Sequence, residues 1–510
     1  MWSKVGAVPQ AGAPRSAALI GATLLLAAAL FMFVDRRTTP IILWDESRLA
    51  INAIEMFERG WSLTTTYGFE PDLWNTKPPL MIWLMNASVH AFGPSESALR
   101  LPSMIAGLGT LTLVFGFVRR ATRSLPTAAL AVVLLATSVG FYGEHGARTA
   151  DYDALLCFFT TAYLRLLHVA VHQVRPGWRL LGLAFAAVAA AALTKTVAGL
   201  VPGVGVVFYI LLCGRWRRVA MSPSYAILLL LALVPLACFY LLREADTPGF
   251  FAAAWYNDVA GRLRDHLEPV EAKPWYYVQT VFQHGLFSAG PLALLAPVGL
   301  WGATGRSRQA LLFALCCVAG QFAVVTITAT KLPQYMLPAL PWLAIACAIT
   351  AKERLPSFLG HGGAVAPSMR ALLMPSALIA AAVINIGVRT VTMRYDLLLE
   401  RAWQPQASYG LLFAALHAHG VREVTIVDPG FRVDRIKADH PQLRYYTMLW
   451  RGRGMVIDRQ VALRDAQQTG AIVASCDPGT AIGVLVPRGG RMIGAPGCAA
   501  IMPRPTSAAA

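Results

Sequence analysis

At 510 residues, with 56% hydrophobic and only 14% charged positions and a mean hydropathy of +0.53, the chain has a composition whose main solvent is lipid. Its net charge of +17 comes from 44 Lys and Arg against 27 Asp and Glu. Basic cytoplasmic loops facing anionic headgroups account for most of that excess, so the charge requires no nucleic-acid partner.

Apolar stretches long enough to cross about 30 Å of hydrocarbon lie near residues 17–34, 97–118, 125–141, 154–171, 180–195, 197–213, 222–242, 280–302, 309–328, 333–350 and 371–392. They predict a polytopic α-helical membrane protein of about 11–13 transmembrane helices. The first stretch runs into Asp35-Arg36-Arg37 with no small-residue cleavage pattern, which predicts a retained anchor. With the N-terminus in the cytoplasm, the inner loops carry Lys4 and Arg15, Arg119/Arg120/Arg123, Arg175/Arg179, Arg215/Arg217/Arg218, Arg306/Arg308, and Lys352/Arg354/Arg370. Each of these short loops is basic, as the positive-inside rule requires.

Residues 36–96 then form a long outer loop. Within it Leu49, Ala53, Ile54 and Phe57 recur at helical spacing before Gly60, predicting an interfacial helix. Leu80 to Phe92 is apolar but too short to span, and Trp44, Trp61, Trp74 and Trp83 surround it as interface aromatics do, so a second helix is expected on the same surface.

Beyond residue 393 the pattern changes to short β-type runs, Val424–Asp428, Ala471–Ser475 and Ala481–Val486, separated by Gly, Pro and Asp. A transmembrane domain over 1–393, with its two interfacial helices at about 45–93, followed by a small soluble α/β domain over 394–510, is the expected organisation. Cys157, Cys213, Cys238, Cys316, Cys317 and Cys347 fall inside spans, where thiols act as small apolar fillers. Cys476 and Cys498 lie in the polar tail, where an oxidising compartment permits a disulfide.

On this topology the polar clusters gather at the outer ends of spans: Asp45-Glu46, Asn75-Thr-Lys77, Glu144-His145 through Arg148 to Asp151-Tyr-Asp153, and Lys331 with Tyr335; Lys195 joins them. Singly each has an ordinary explanation, such as a solvated loop start, a helix cap or a snorkelling lysine. Together, acids and cations in one outer site suit transfer from a phosphate-linked donor, the cations neutralising charge on the departing phosphate. A phosphodiester leaves without protonation, so one carboxylate suffices to deprotonate an incoming hydroxyl, and Asp45 is the best candidate. Nucleotide-sugars are absent outside the cytoplasmic membrane, so the donor expected there is carried on a polyprenyl phosphate.

The residues Trp44-Asp-Glu-Ser-Arg48, Lys77-Pro-Pro-Leu80, Phe92-Gly with Arg100-Leu-Pro102, Arg148-Thr-Ala-Asp-Tyr-Asp153, Leu193-Thr-Lys195 and Lys331-Leu-Pro-Gln-Tyr-Met-Leu-Pro338 occur in this order. In them the chain resembles the superfamily of aminoarabinose lipid A transferases and protein O-mannosyltransferases over about its first 350 residues. The resemblance implies a GT-C membrane glycosyltransferase with Asp45 as the essential acid and with Lys77, Arg148, Lys331 and Tyr335 binding donor phosphate. Lys195 is a further candidate there, although it is followed by Thr-Val-Ala-Gly where a Gly-Pro-type continuation is expected. Glu46, Asp151 and Asp153 are the candidates for a second acidic, metal or acceptor site, and Asp-Tyr-Asp does not choose between its two acids. The sequence establishes no cofactor; a divalent cation held by Asp45, Asp153 and His145 is the candidate, against the alternative of a satisfied interfacial histidine. Arg262 and Arg264 are weaker donor-site candidates.

The expected function is an inverting transfer of a sugar from an undecaprenyl-phosphate carrier to a lipid A, glycan or protein acceptor. It would take place on the periplasmic side of a bacterial inner membrane. A secondary transporter or a non-catalytic lipid-carrier binding protein are the competing classes. The first needs ionisable groups at mid-depth, where the spans are nearly free of them.

Overall fold

The computed structural model describes residues 40–265, 273–283, 286–358, 408–429, 440–460, 472–494 and 497–501. The expected spans at 17–34 and 371–392, and the boundary at 393, lie outside these residues. Among the described residues six helices are long and apolar enough to cross a membrane, and the chain is a multi-pass membrane protein.

The first described element is α1, Trp44–Arg59, with Asp45 and Glu46 in its first turn and Arg59 in its last, each sign opposing the helix dipole it meets. Leu49, Ala50, Ile51, Ala53 and Ile54 are buried on one face, and Gly60 ends the helix at φ 99. A two-residue hairpin, β1 (Thr66–Tyr67) with β2 (Glu70–Pro71), folds back onto α1. Here Arg48 bonds Asp72 at 2.8 Å, both fully buried, with its guanidinium over the rings of Trp44, Tyr67 and Trp74. Asp72 also accepts from Asn52 and from the backbone N–H groups of Trp74 and Asn75, which satisfies a charge that would otherwise be costly to bury. The second short helix, α2, spans Leu80–Phe92 as its apolar pattern predicts.

The bundle follows. Helix α3 (Glu96–Thr122) starts at a Ser95 cap accepting from the Ala98 N–H, and α4 (Leu125–Ala136) starts at a Ser124 cap. Then come α5 (Tyr152–His172), α6 (Trp178–Lys195), α7 (Gly203–Leu212) and α8 (Pro223–Asp246). A short helix α9 (Phe250–Trp255) leads through a π turn at Tyr256–Ala260 into a helical turn at Gly261–Arg264. A 3-10 segment at Gly290–Trp301 occupies much of the apolar stretch expected at 280–302. The bundle continues with α10 (Gly305–Ile327) and α11 (Leu340–Phe358), the latter preceded by a 3-10 turn at Pro333–Ala339.

Helix directions sort the charges by end. The N-terminal ends of α3 and α5 meet, Ser103 Oγ donating to the Asp151 carbonyl at 3.2 Å, and the C-terminal end of α6 reaches them through Lys195. The last turn of α3 with Arg119, Arg120 and Arg123, the α5–α6 connection with Arg175 and Arg179, and Arg215, which donates to the Val171 carbonyl at 2.7 Å, lie at the opposite end.

The C-terminal region contains α12 (Tyr409–Ala418), β3 (Glu423–Val427), α13 (Pro441–Arg451), β4 (Val456–Gln460), β5 (Ile472–Ser475), β6 (Arg491–Met492) and β7 (Ala499–Ile501). Its sheet has the order β4-β3-β5-β7-β6, parallel across β4, β3 and β5 and antiparallel beyond. Two of the expected strands are β3 and β5; the third is corrected. Residues 481–485 form a π turn followed by a 3-10 turn, because the Asp477 carboxylate accepts from the Thr480 N–H and hydroxyl and starts a helix where β-branched composition suggested a strand. Cys476 and Cys498 are joined in a disulfide and lie in the same apolar cluster as Ile41, Leu49, Ile54, Met81 and Tyr446. The C-terminal region and α1 therefore share a core.

Candidate active site

Asp45 is half-buried in the first turn of α1. Its helix is tied to the loop before α5 by its neighbour: Glu46 Oε1 accepts the Ala150 N–H at 2.9 Å and Arg100 Nε at 2.7 Å. That fully buried ion pair sets Asp45 beside Asp151, an acid of the loop before α5. The loop between α4 and α5 turns tightly enough to put His145 at φ 55, a left-handed conformation unusual for a non-glycine residue. Gly146 sits so close to the Phe141 carbonyl that a Cβ there would approach to 2.5 Å. This turn aims the imidazole back, and His145 Nδ1 meets Asp151 Oδ2 at 2.5 Å.

Ligand atoms of Asp45, His145 and Asp151 all lie within 4.8 Å of one another. Asp151 also caps α5, its Oδ1 accepting from the Tyr152 N–H at 2.6 Å. Of the Asp-Tyr-Asp pair it is thus Asp151 that faces His145. Asp153 points from the first turn of α5 to Lys195, whose ammonium bridges both carboxylate oxygens at 2.7 Å. Thr196, just after Lys195, adopts φ 46 and is buried. A β-branched residue is strained there, and glycine would adopt the turn freely.

Burial pushes the Asp45 carboxyl above its ordinary range, and the negative charge of Asp151 adds to the push; His145, Lys77 and Lys195 oppose it. For His145 burial works against the charged form, but the Asp151 hydrogen bond and charge, with Asp153 and Asp45, outweigh it and hold the imidazolium up at about 9. Asp151 goes the other way: burial alone would raise it, and the His145 bond and the nearby cations bring it down to about 2. Two carboxyls with opposite shifts in one cluster are the pattern of divided acid–base roles.

The cations arrive from three further elements. Lys77 lies 3.7 Å from Asp258 of the π turn after α9, and Thr76 donates to the same carboxylate at 3.1 Å. Tyr335 accepts a short hydrogen bond from Arg262, whose backbone carbonyl in turn accepts from the Thr330 N–H at 3.1 Å. Asp45 is within electrostatic reach of Lys77 and Lys195, and Lys195 of Tyr335. Arg148 is half-buried in the loop carrying His145. Lys331 is buried and turned onto its own loop, its ammonium donating to the Thr328 carbonyl. The residue that sequence reasoning passed over is Asp258, a lone acid in a helical stretch with no motif to mark it.

Two carboxylates and an imidazole that gives up its proton on binding form a donor set that suits a divalent cation, and Asp45, His145 and Asp151 are the residues that would hold it, Asp151 in place of the expected Asp153, which Lys195 engages.

The family model for dolichyl-phosphate-mannose-protein mannosyltransferase matches residues 76–241. In three dimensions the chain is similar to ArnT of Cupriavidus metallidurans bound to undecaprenyl phosphate, with a TM-score of 0.63 at 18% identity over 96% of this chain and 98% of that one. It is also similar to the archaeal oligosaccharyltransferase AglB of Archaeoglobus fulgidus, with a TM-score of 0.50 at 14% identity over 90% and 70%. The chain therefore shares the fold of these membrane glycosyltransferases, and about a third of it matches the mannosyltransferase family model. In sequence it is 28% identical to the undecaprenyl phosphate-alpha-4-amino-4-deoxy-L-arabinose arabinosyl transferase of Pseudomonas aeruginosa, over 65% of this chain and 59% of that protein. An uncharacterized protein of Aquifex aeolicus is 28% identical over 63% and 62%. The chain thus spans about six-tenths of the length of these curated relatives.

Proposed function

We propose that the protein is an inverting glycosyltransferase that moves a sugar from a polyprenyl phosphate, undecaprenyl phosphate in bacteria, to a hydroxyl or amine of a lipid A, glycan or protein acceptor. The observation that carries this reading is the gathering of Asp45, Asp151 and His145 within electrostatic reach of Lys77 and Lys195, at the bundle end away from the basic loops. Positive-inside then puts this end in the periplasm and the bundle in the inner membrane. The relatives named for an undecaprenyl-phosphate-linked donor support the same carrier.

In the reaction Asp45 accepts the proton of the acceptor hydroxyl, whose oxygen attacks the anomeric carbon. The bond from that carbon to the phosphate oxygen breaks, its electron pair leaving with the polyprenyl phosphate, and the configuration inverts. Lys77, Lys195, Arg148, Tyr335 and Arg262 stabilise the departing phosphate, with Asp258 orienting Lys77 and Asp153 orienting Lys195. Lys331, turned onto the Thr328 carbonyl, would have to re-orient to contribute. A divalent cation held by Asp45, His145 and Asp151 would add positive charge beside the reacting groups. Asp151, the second carboxyl of the cluster, has its oxygens engaged by His145 and the Tyr152 N–H and is not poised as a nucleophile, which favours single displacement.

The test is mass spectrometry of lipid A, surface glycans and periplasmic proteins from a deletion strain, complemented with wild type or Asp45→Asn. A sugar mass restored by wild type alone identifies sugar and acceptor and supports Asp45 as base. Restoration by both forms overturns that assignment and favours a carrier-binding protein.

A further inference from the structure

The backbone that enters α1 is held by the far end of the chain. Ile41 donates its N–H to the hydroxyl of Tyr446 at 2.7 Å, and Gln442 Nε2 donates to the Ile42 carbonyl at 2.7 Å. Both partners are buried side chains of α13, about 400 residues away in sequence. From the other side Arg100, already bound to Glu46, donates to the Pro40 carbonyl at 3.2 Å. Gly410 of α12 packs so closely that a Cβ there would lie 2.5 Å from Tyr446 Cζ and 2.6 Å from Pro40 Cβ.

This strap replaces what α1 lacks. Its N-cap is Leu43, which has no side-chain cap; Ser47 closes the turn, its N–H and hydroxyl both reaching the Leu43 carbonyl at 3.0 Å, and Glu46 ties it sideways to Arg100. An uncapped helix start frays unless tertiary contacts hold it. Asp45 sits in that turn, and the reaction depends on its position to within about an ångström, a displacement that can cost on the order of a hundredfold in rate.

We infer that Tyr446 and Gln442 are positioning residues for the transfer reaction: through residues 40–43 they fix the first turn of α1 and hold Asp45 in place. The C-terminal region is thereby a working part of the catalytic unit. This rests on the reading of Asp45 as the base. The argument is one of geometry, because Tyr446→Phe preserves the ring and its packing while leaving the buried Ile41 N–H without its acceptor.

A control lies next to it. Tyr445 is equally buried, and its hydroxyl has no hydrogen-bond partner among the described residues. The experiment measures steady-state kinetics of the full-length, detergent-solubilised protein. The substrates are the acceptor isolated from the deletion strain and undecaprenyl phosphate carrying the sugar of the missing mass. Tyr446→Phe and Gln442→Leu should each lower kcat about tenfold with donor KM within about twofold of wild type, a split that marks loss of transition-state geometry and not of donor binding. Tyr445→Phe should leave both constants unchanged. Wild-type kcat in both Tyr446→Phe and Gln442→Leu, an equal fall in Tyr445→Phe, or a change confined to KM overturns the inference. Asp45→Asn in the same assay separates the two levels: an active Asp45→Asn removes the base reading itself, whereas an inactive one beside fully active Tyr446→Phe and Gln442→Leu removes the strap alone.

Discussion

At the scale of single residues, the pair His145–Asp151 makes the site sensitive to pH in a direction the shifts fix. His145 rises from an ordinary 6.5 to about 9, so its contribution to stability is complete below 6.5 and disappears as pH climbs through 9. Asp151 falls from 3.8 to about 2, so its share is complete above 3.8 and is lost as pH drops through 2. The melting-temperature difference between wild type and His145→Gln should therefore be largest from about pH 4 to 6.5 and vanish beyond about pH 9. A difference that grows with alkalinity would contradict the ion pair. The candidate acids were legible in the sequence because carboxylates at helix starts beside apolar spans stand out. Their division of labour was not, because it depends on which way the α4–α5 loop turns. That His145 adopts a left-handed backbone and so meets Asp151 and not Asp153 is a property of Gly143 and Gly146 acting together with the fold. Likewise Glu46, which reads as a second site acid, is bound by Arg100, a partner 54 residues away that no local pattern announces.

At the scale of elements, a close helix crossing here is made by small residues, as expected where lipid competes for every hydrophobic side chain. Helices α7 and α10 cross where Gly205 and Gly320 face each other. A Cβ on Gly205 would come within 2.5 Å of Cys317 Cα, and one on Gly320 within 2.5 Å of the Gly205 nitrogen, both against backbone that cannot swing aside. Gly205→Leu should separate the helices and cost about 1–3 kcal/mol or more, read as a fall in melting temperature of the solubilised protein. Gly203, two residues earlier, meets nothing nearer than the Tyr163 hydroxyl at 4.0 Å, so Gly203→Ala should leave the melting temperature unchanged or raise it. Equal effects from both would show that glycine matters here for backbone freedom and not for approach. The bounds of α2 and the positions of β3 and β5 were readable from their apolar runs, since length and alternation are local signals. The hairpin β1–β2 and the short strands β6 and β7 were not, because two- and three-residue strands carry no periodicity and exist only through their pairing partners.

At the scale of the whole molecule, the charge sorting and the strap at residues 40–43 make one argument about sidedness. Asp45 and Tyr446 are joined through Ile41, so the C-terminal region and the site lie on the same side of the bundle whichever side that is. The basic ends of α3 and α5 and the Arg215 turn lie at the other end. If positive-inside holds, the site, α13 and the disulfide share the oxidising compartment, which also suits a Cys476–Cys498 bridge buried in their common core. Cysteine substitutions at two exposed positions should then react oppositely with a membrane-impermeant maleimide in intact spheroplasts. Glu144→Cys, beside His145, should label, and Arg217→Cys, between α7 and α8, should label only after the membrane is permeabilised. The native disulfide cannot react, and the free cysteines in the spans are removed first by substitution with alanine or serine. The reverse pattern would place the site against the cytoplasm, where nucleotide-sugars are present, and the case for a polyprenyl-phosphate donor would lose its physical basis even if Asp45 proved to be the base.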